Sequence, residues 1–478
     1  MRKLLFLLFL NPVWLFAQAD STSQVLSIDN FIQLVLTNHP VIKQSELVSK
    51  MAEAEIRKAR GQFDPKLTGS YDLKNFKDTE YWDLLNATLK FPLPIPIDPK
   101  ISFDRNEGEF INNERSIPSS NENRQISAGI SLPIGKGLLI DERRNTLQQA
   151  RIYQDIADAE QIKMTNKILL TAIKDYWEWT LAYQEILLLQ RSVDIAQELF
   201  ERVLLDYGVG EAAVVDTIQA KITYQNRIVD YQNFLLDYNK SRLNLENHLW
   251  SIEQEPLLLQ ENTLPDTLAD LGIVPDQESL TLLLETANTQ HPELLKTDAK
   301  INQLEVERRW NREALKPEID LEYSFIDAPI TPFGDIESPD SFTENYKLGV
   351  GFSYPLFLRK ERGKLQKTNL KIESNRYELE RKRLAIRNKV RGKFFEIQTS
   401  QELTSQYREM ANSYQRLLQA EFLNLEVGES DLFKLNIQQD KFIESQLKYL
   451  KTLTKLRKNK IEILYEAGVP FLNLLPQP

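Results

Sequence analysis

Hydrophobic and polar positions alternate strictly in four short stretches of this chain and recur at helical spacing through most of the remainder. In 346–354, YKLGVGFSY, one set of alternate positions holds Tyr346, Leu348, Val350, Phe352 and Tyr354, and the other holds Lys347, Gly349, Gly351 and Ser353. Period-2 alternation puts the two sets on opposite faces of a β-strand. Leu67, Gly69, Tyr71 and Leu73 alternate in the same way with Lys66, Thr68, Ser70 and Asp72. So do Ile126, Ala128, Ile130 and Leu132 with Ser127, Gly129 and Ser131, and Ile319, Leu321, Tyr323 and Phe325 with Glu318, Asp320, Glu322 and Ser324. Each stretch is close to the roughly 9–11 residues that cross a bilayer as a tilted strand, apolar side outward and polar side inward. Glu318, Asp320 and Glu322 then line a lumen, as an acidic throat favouring cations. Tyr323, Phe325, Tyr346, Phe352 and Tyr354 suit an interfacial aromatic belt.

Four strands cannot close a barrel, and an open sheet edge in hydrocarbon leaves backbone groups unpaired at several kcal/mol each. Strands of this kind in a membrane therefore have to be pooled by several copies. The competing reading is a small soluble sheet that buries its apolar face. Between the first two strands, the segment 75–124 alternates again at Leu85, Ala87, Leu89 and Phe91 before a Pro-rich turn. It is either an additional hairpin or a structured surface loop.

Helical patterning is unusually long. No Gly or Pro occurs from Asp141 to Tyr207, and only Gly392 interrupts Lys364–Val427. At 1.5 Å per residue such a helix is a rod of roughly 100 Å, against an average of about 11–12 residues in globular proteins. Leu169, Ile173, Tyr176, Thr180, Tyr183 and Leu187, spaced 4-3-4-3-4, predict a seam for packing on another helix.

The chain states its pattern twice. His39-Pro40 and His291-Pro292 lie 252 positions apart, as do Pro65 and Pro317. In each copy a Pro opens a helix, and a later Pro, at 65 or 317, marks the junction from helix to strand. SLP at 131–133 echoes SYP at 353–355, and VGE at 209–211 echoes VGE at 427–429. The expected organisation is a leader at 1–19, a first repeat at 20–250, an equatorial linker at 251–276, a second repeat at 277–466 and a tail at 467–478. Each repeat runs helix, strand, polar loop, strand, very long helix, VGE turn, helix.

Charge and composition narrow the function. A formal net charge of −10 argues against a general nucleic-acid binder. The start, MRKLLFLLFLNPVWLFAQAD, has the layout of a secretory signal peptide cut near Ala19. Beyond it no run of about 18 apolar residues predicts a membrane-spanning helix. There is no cysteine, hence no disulfide and no lipidated N-terminal Cys. The three histidines are His39, His248 and His291, and the pre-Pro placement of two of them fits helix starts better than metal ligation. Gly208-Val209-Gly210 lacks a third Gly and follows a helix, so it is no dinucleotide loop. With no HExxH, Walker-type loop or Cys-His set, no catalytic constellation, cofactor site or metal site is predicted. Arg143, Arg144, Arg359, Lys360, Arg362 and Lys364 follow the returning strands at the starts of the long helices, where lipid phosphates or carboxylates would offset an unfavourable helix dipole.

Taken in their doubled order, the HP helix starts, the Pro-terminated helices, the long rods and the VG turns resemble the TolC family of outer-membrane efflux proteins. The family's turn motif, Y-x-V-G with an Asp six residues after the Gly and an Ala four beyond it, is matched by Tyr207, Val209, Gly210, Asp216 and Ala220. The second copy keeps Val427 and Gly428 but has Leu425 for Tyr and Lys434 for Asp. The resemblance implies a mainly α fold whose long helices form a helical barrel, with a trimer-shared transmembrane β-barrel of twelve strands. It further implies a homotrimer in the outer membrane with a large periplasmic portion, docked to a periplasmic adaptor and an inner-membrane pump or ABC exporter. The function implied is a passive exit duct for efflux or type I secretion, not an enzyme. Acidic residues at the periplasmic end would constrict the pore. By that resemblance Asp216 is a gate residue, whereas the second copy, with Lys434, has no matching acid; Glu211, Glu429 and Asp431, beside Gly210 and Gly428 at the tip, either supply the charge instead or are solvated acids favourable at a helix N-terminus. The alternative from another class is a periplasmic coiled-coil adaptor or scaffold with a small soluble sheet.

Overall fold

A computed structural model describes residues 24–111, 124–266, 276–327 and 345–471. The leader, the linker residues 267–275 and the tail beyond 471 lie outside the described residues. The chain order is β1 (Gln24–Leu26), α1 (Ile28–Asn38), α2 (Pro40–Arg60), β2 (Lys66–Phe76), β3 (Thr79–Lys90), β4 (Asp98–Glu107), β5 (Arg124–Pro133), α3 (Glu142–Gly208), α4 (Val214–Glu246) and β6 (Thr263–Pro265). There follow α5 (Gln277–Gln290), α6 (Pro292–Glu313), β7 (Glu318–Asp327), β8 (Tyr346–Ser353), α7 (Arg359–Glu426) and α8 (Leu432–Glu466). The duplication is visible element by element: α1-α2-β2 and α5-α6-β7 open the halves, and α3-α4 and α7-α8 close them. Two compact units result, one of residues 41–170, 274–397 and 459–478, the other of 1–40, 171–273 and 398–458.

The first unit holds an antiparallel sheet of order β2-β3-β4-β5-β7-β8. The four stretches expected as strands are β2, β5, β7 and β8. The expected four-strand contribution is corrected to six among the described residues, because 75–124 holds the further hairpin β3–β4. The insertion also explains a change in repeat spacing. Pro65 and Pro317 are 252 positions apart, whereas SLP and SYP are 222 apart. The first half thus carries thirty more residues between these landmarks, which is close to the span of Thr79–Glu107. Lys77 and Asp78, with φ of 53° and 64°, make the two-residue connection from β2 to β3. Two positive φ values in succession match the type I′ turn whose twist suits a hairpin.

The prolines mark the helix–strand junctions. After α2, a 3-10 turn at Gly61–Phe63 leads through Asp64 and the exposed Pro65 into β2. Pro317 precedes β7, and its carbonyl accepts from the Lys136 N–H at 2.8 Å, while Ile319 O accepts from Ile134 N–H at 2.7 Å. These bonds extend the β5–β7 ladder past the strand end. A Cβ on Gly135 would overlap Pro317 O, so the close approach needs a glycine there. The helices of this unit pack in matched pairs. Ser45 of α2 bonds Thr165 of α3 at 3.2 Å, and Asn311 of α6 donates to Thr368 of α7 at 3.0 Å. Along α7, Ile372, Leu379 and Ile386 are buried at seven-residue intervals, the repeat of a left-handed supercoil.

In the second unit, β1 and β6 form a short parallel pair. Tyr176 fastens it: its hydroxyl donates to Leu26 O at 2.7 Å and accepts from Asp266 N–H at 3.1 Å, and burial pushes its pKa up to about 12. Phe31 stacks on the same ring at 5.4 Å. Of the predicted seam, Leu169, Ile173, Tyr176 and Thr180 are buried, but Leu187 is 47% exposed. From Ala182 the buried row moves to Glu185, Leu189, Ser192, Ala196 and Val203. Tyr176 meets β1 and the residue after β6, whereas Thr180 donates to the Tyr176 carbonyl at 2.8 Å and Tyr183 lies against Tyr238.

Candidate functional site

Two features concentrate polar chemistry: the hairpin turns of the second unit and the polar face of the sheet in the first.

The α3–α4 and α7–α8 turns are built alike. Glu211 N–H donates to Asp206 O at 2.9 Å and Gly210 N–H to Tyr207 O at 3.1 Å; the counterparts are Glu429 to Asn424 at 2.8 Å and Gly428 to Leu425 at 3.2 Å. Gly210 and Gly428 have φ of 85° and 78°, the left-handed conformation that closes a helix with few penalties only for glycine. The sequence departure from Asp216 to Lys434 has a local explanation. Asp216 accepts from Ala213 N–H at 3.0 Å, covering the start of α4 from its third position. In the second turn the carboxylate has moved to the residue preceding α8, where Asp431 accepts from Lys434 N–H at 2.8 Å. Each helix start keeps one aspartate against its exposed N–H groups.

Beside these turns lies a hollow of about 280 Å³, lined by Arg202, Asp206, Glu211, Asp216, Ser430 and Asp431 among others. The structure thus brings Glu211, Asp216 and Asp431 together, with Gly210 at the adjoining turn. Glu429 and Gly428 are exposed at the second turn and do not line the hollow. Sequence reasoning missed Asp206 and Arg202. Asp206 carried a signal, since an acid in the last turn of a helix opposes the dipole.

On the sheet, register sorts every strand into the same two faces. One face runs Leu67, Leu89, Ile101, Ala128 and Phe325, reaching Tyr346 on β8. It remains open: Leu67 is 75% exposed and Phe352 71%. That is not a small soluble sheet burying its apolar side. The other face carries Thr68, Thr88, Ser102, Ser127 and Glu322 opposite Gly349. Glu318, Asp320 and Glu322 lie here, as expected, but not as bare acids. Lys136 reaches Glu318 at 3.3 Å and Lys100 reaches Glu322 at 3.1 Å. Lys100 sits opposite Gly129 on β5 and reaches past that strand to Glu322 on β7. These lysines were not anticipated, because each comes from a strand or turn distant in sequence. Of the cations at the long-helix starts, Arg143 bonds Asp98 and Asp141 at 3.0 and 3.1 Å, whereas Arg359, Lys360, Arg362 and Lys364 are exposed.

Comparison with known proteins agrees with this architecture. The profile of the family described as "Outer membrane efflux protein" matches residues 31–249 and 283–466. No curated protein sequence matches the chain. Among solved structures, the CmeC outer membrane channel of Campylobacter jejuni is similar at 13% identity and TM-score 0.62, covering 92% of this chain and 84% of that one. The open-state MtrE outer membrane channel of Neisseria gonorrhoeae is similar at 13% identity and TM-score 0.65, covering 92% and 88%. The outer membrane protein VceC of Vibrio cholerae is similar at 10% identity and TM-score 0.63, covering 92% and 95%.

Proposed function

The chain belongs to the outer membrane efflux protein family, and from that premise we propose that it works as a homotrimeric, passive exit duct from the periplasm to the exterior. The observation that carries this reading is the sheet: one face mainly apolar and open, the other mainly polar, and the outer edges of β2 and β8 without a strand partner among the described residues. A sheet of that description is stable in a bilayer when identical copies close it into a barrel. The polar face then lines the lumen, where Glu318, Asp320 and Glu322 interleave with Lys100 and Lys136.

The gate is assigned to the hairpin turns. Asp206, Glu211, Asp216 and Asp431 outnumber Arg202 around the hollow, so three copies would gather a ring of mutually repelling carboxylates. An adaptor in the periplasm and a pump or ABC exporter in the inner membrane would supply the energy. The repeats at 20–250 and 277–466 correspond to the two hairpins, with 251–276 as the equatorial linker.

Two measurements test this. The processed protein should extract only with detergent and carry the mass of three copies; a water-soluble single chain sinks the reading. Glu211→Ala with Asp216→Ala should raise single-channel conductance in planar bilayers, and an unchanged conductance removes both residues from the gate.

A further inference from the structure

The hairpin β3–β4 lies inside the sheet, between β2 and β5, rather than hanging from an edge. Its ladders are continuous on both sides, Leu67 to Leu89 and Leu89 to Ile101, then Ile101 to Ala128. It also follows the face rule of its neighbours. Leu85, Ala87 and Leu89 on β3, with Ile101 and Phe103 on β4, share the apolar face, while Asn86 bonds Asp104 at 2.6 Å and Thr88 bonds Ser102 at 2.9 Å on the polar one. Its base is tied to the start of α3, because Asp98 meets both Lys90 at 3.2 Å and Arg143 at 3.0 Å. The inserted strands therefore read as barrel wall from their base to Leu85 and Phe103; nearer the hairpin tip Asp83, Arg105 and Glu107 form a charged cluster on the otherwise apolar face, with Arg105 and Asp83 at 3.0 Å.

The edges complete the argument. β2 and β8 flank the sheet, both exposed along their length. With six antiparallel strands they run in opposite directions, so β8 of one copy set against β2 of the next continues the antiparallel order. Unpaired edges in hydrocarbon are costly, which selects this junction. Resting on the threefold assembly proposed above, we infer that each copy gives all six strands to the wall, that β2 and β8 form the seam between copies, and that the barrel has eighteen strands, three times six. Barrel diameter grows about linearly with strand number, so this lumen is about half as wide again as a twelve-stranded one. The duct is thus suited to bulkier cargo at its outer end. A twelve-stranded wall would instead make β4 the edge and expel β2 and β3, breaking the β3–β4 ladder and stranding Leu67, Tyr71, Leu85 and Leu89.

The chain has no cysteine, so introduced pairs report cleanly. Thr68→Cys, Ser70→Cys or Asp72→Cys on β2 is combined with Lys347→Cys, Gly349→Cys or Gly351→Cys on β8, all on the polar face. A second set combines Ser102→Cys on β4 with the same β8 positions. Oxidation in membranes should yield covalent trimers from a β2–β8 pair and none from the β4 set. Cross-links from the β4 set alone, or a native trimer that neither set cross-links, overturn the inference while leaving the threefold duct intact. A mass of one copy overturns the duct reading itself. Electron cryomicroscopy of the unmodified trimer gives an independent count, with eighteen strands expected and twelve refuting.

Discussion

Glu293 offers the sharpest test of how the second repeat is held together. At the start of α6 its carboxylate meets Lys163 Nζ at 2.5 Å and Lys382 Nζ at 3.2 Å, joining α3, α6 and α7 within one unit. Burial opposes its charge, but the two lysines overcome this and hold its pKa down at about 2, from an ordinary 4.5. Taken in full, that displacement is about 3.4 kcal/mol; solvent that still reaches the carboxylate screens it to about 1.5 kcal/mol. The folded value lies below the unfolded one, so the contribution is complete above about pH 4.5 and is lost as pH falls toward 2. At pH 3 most of it is gone. Glu293→Gln keeps the shape and the hydrogen-bond acceptor while removing the charge. Urea unfolding in detergent, followed by helical circular dichroism, should show the variant weaker by about 1.5 kcal/mol at pH 7 and by about 0.2 kcal/mol at pH 3. His39, lowered to about 4 mainly by burial, titrates in both proteins and cancels in the difference; His291, also lowered to about 4 by burial, is raised in part by the Glu293 charge, so His291→Gln is carried in both backgrounds to isolate the carboxylate. A gap that is absent at pH 7, or that does not shrink in acid, refutes the assignment of stability to this cluster.

Other substitutions probe the turns and the wall. Gly210→Ala meets no atom within 4 Å, so its cost is the left-handed backbone alone, about 1–2 kcal/mol; hydrogen exchange should accelerate around 205–215, and an unchanged rate contradicts the turn geometry. Gly129→Ala differs in kind, because its Cβ would lie 2.8 Å from Ser324 Cα and closer still to Tyr323 O. It should wedge β5 from β7 and abolish detergent-resistant oligomers, and their survival would contradict the close strand approach. Lys434→Asp sets a helix-dipole gain of about 0.3–1 kcal/mol against loss of the 3.7 Å pair with Asp431 and a new like-charge neighbour three residues away, so the two should offset and leave hairpin stability within about 0.5 kcal/mol at low salt. A gain of about 1 kcal/mol or more would show that Asp431 does not engage Lys434.

The period-2 stretches were legible as strands because their two faces differ so sharply, and the glycine-poor rods were legible because nothing in them stops a helix. The hairpin β3–β4 was harder. Trp82 and Leu84 interrupt its polar face, and the Pro-rich turn resembles a surface loop. The thirty-residue change in repeat spacing was its clearest trace. The charge pairs of the polar sheet face were hidden for another reason: Lys100 and Glu322 are 222 residues apart and meet across β5. Leu187 was misassigned because a heptad seam read from one helix does not reveal where its neighbour changes face.

The swapped aspartates at the two hairpin turns bear on docking. A partner that grips the chain by backbone contour finds two equivalent handles in every copy, since the glycine-closed bends superpose in their bonding. One that senses charge finds two different handles, with Asp216 at one and the Asp431–Lys434 pair at the other. In the threefold assembly proposed above, such a partner would tell alternate sites apart and choose one of two phases at each copy.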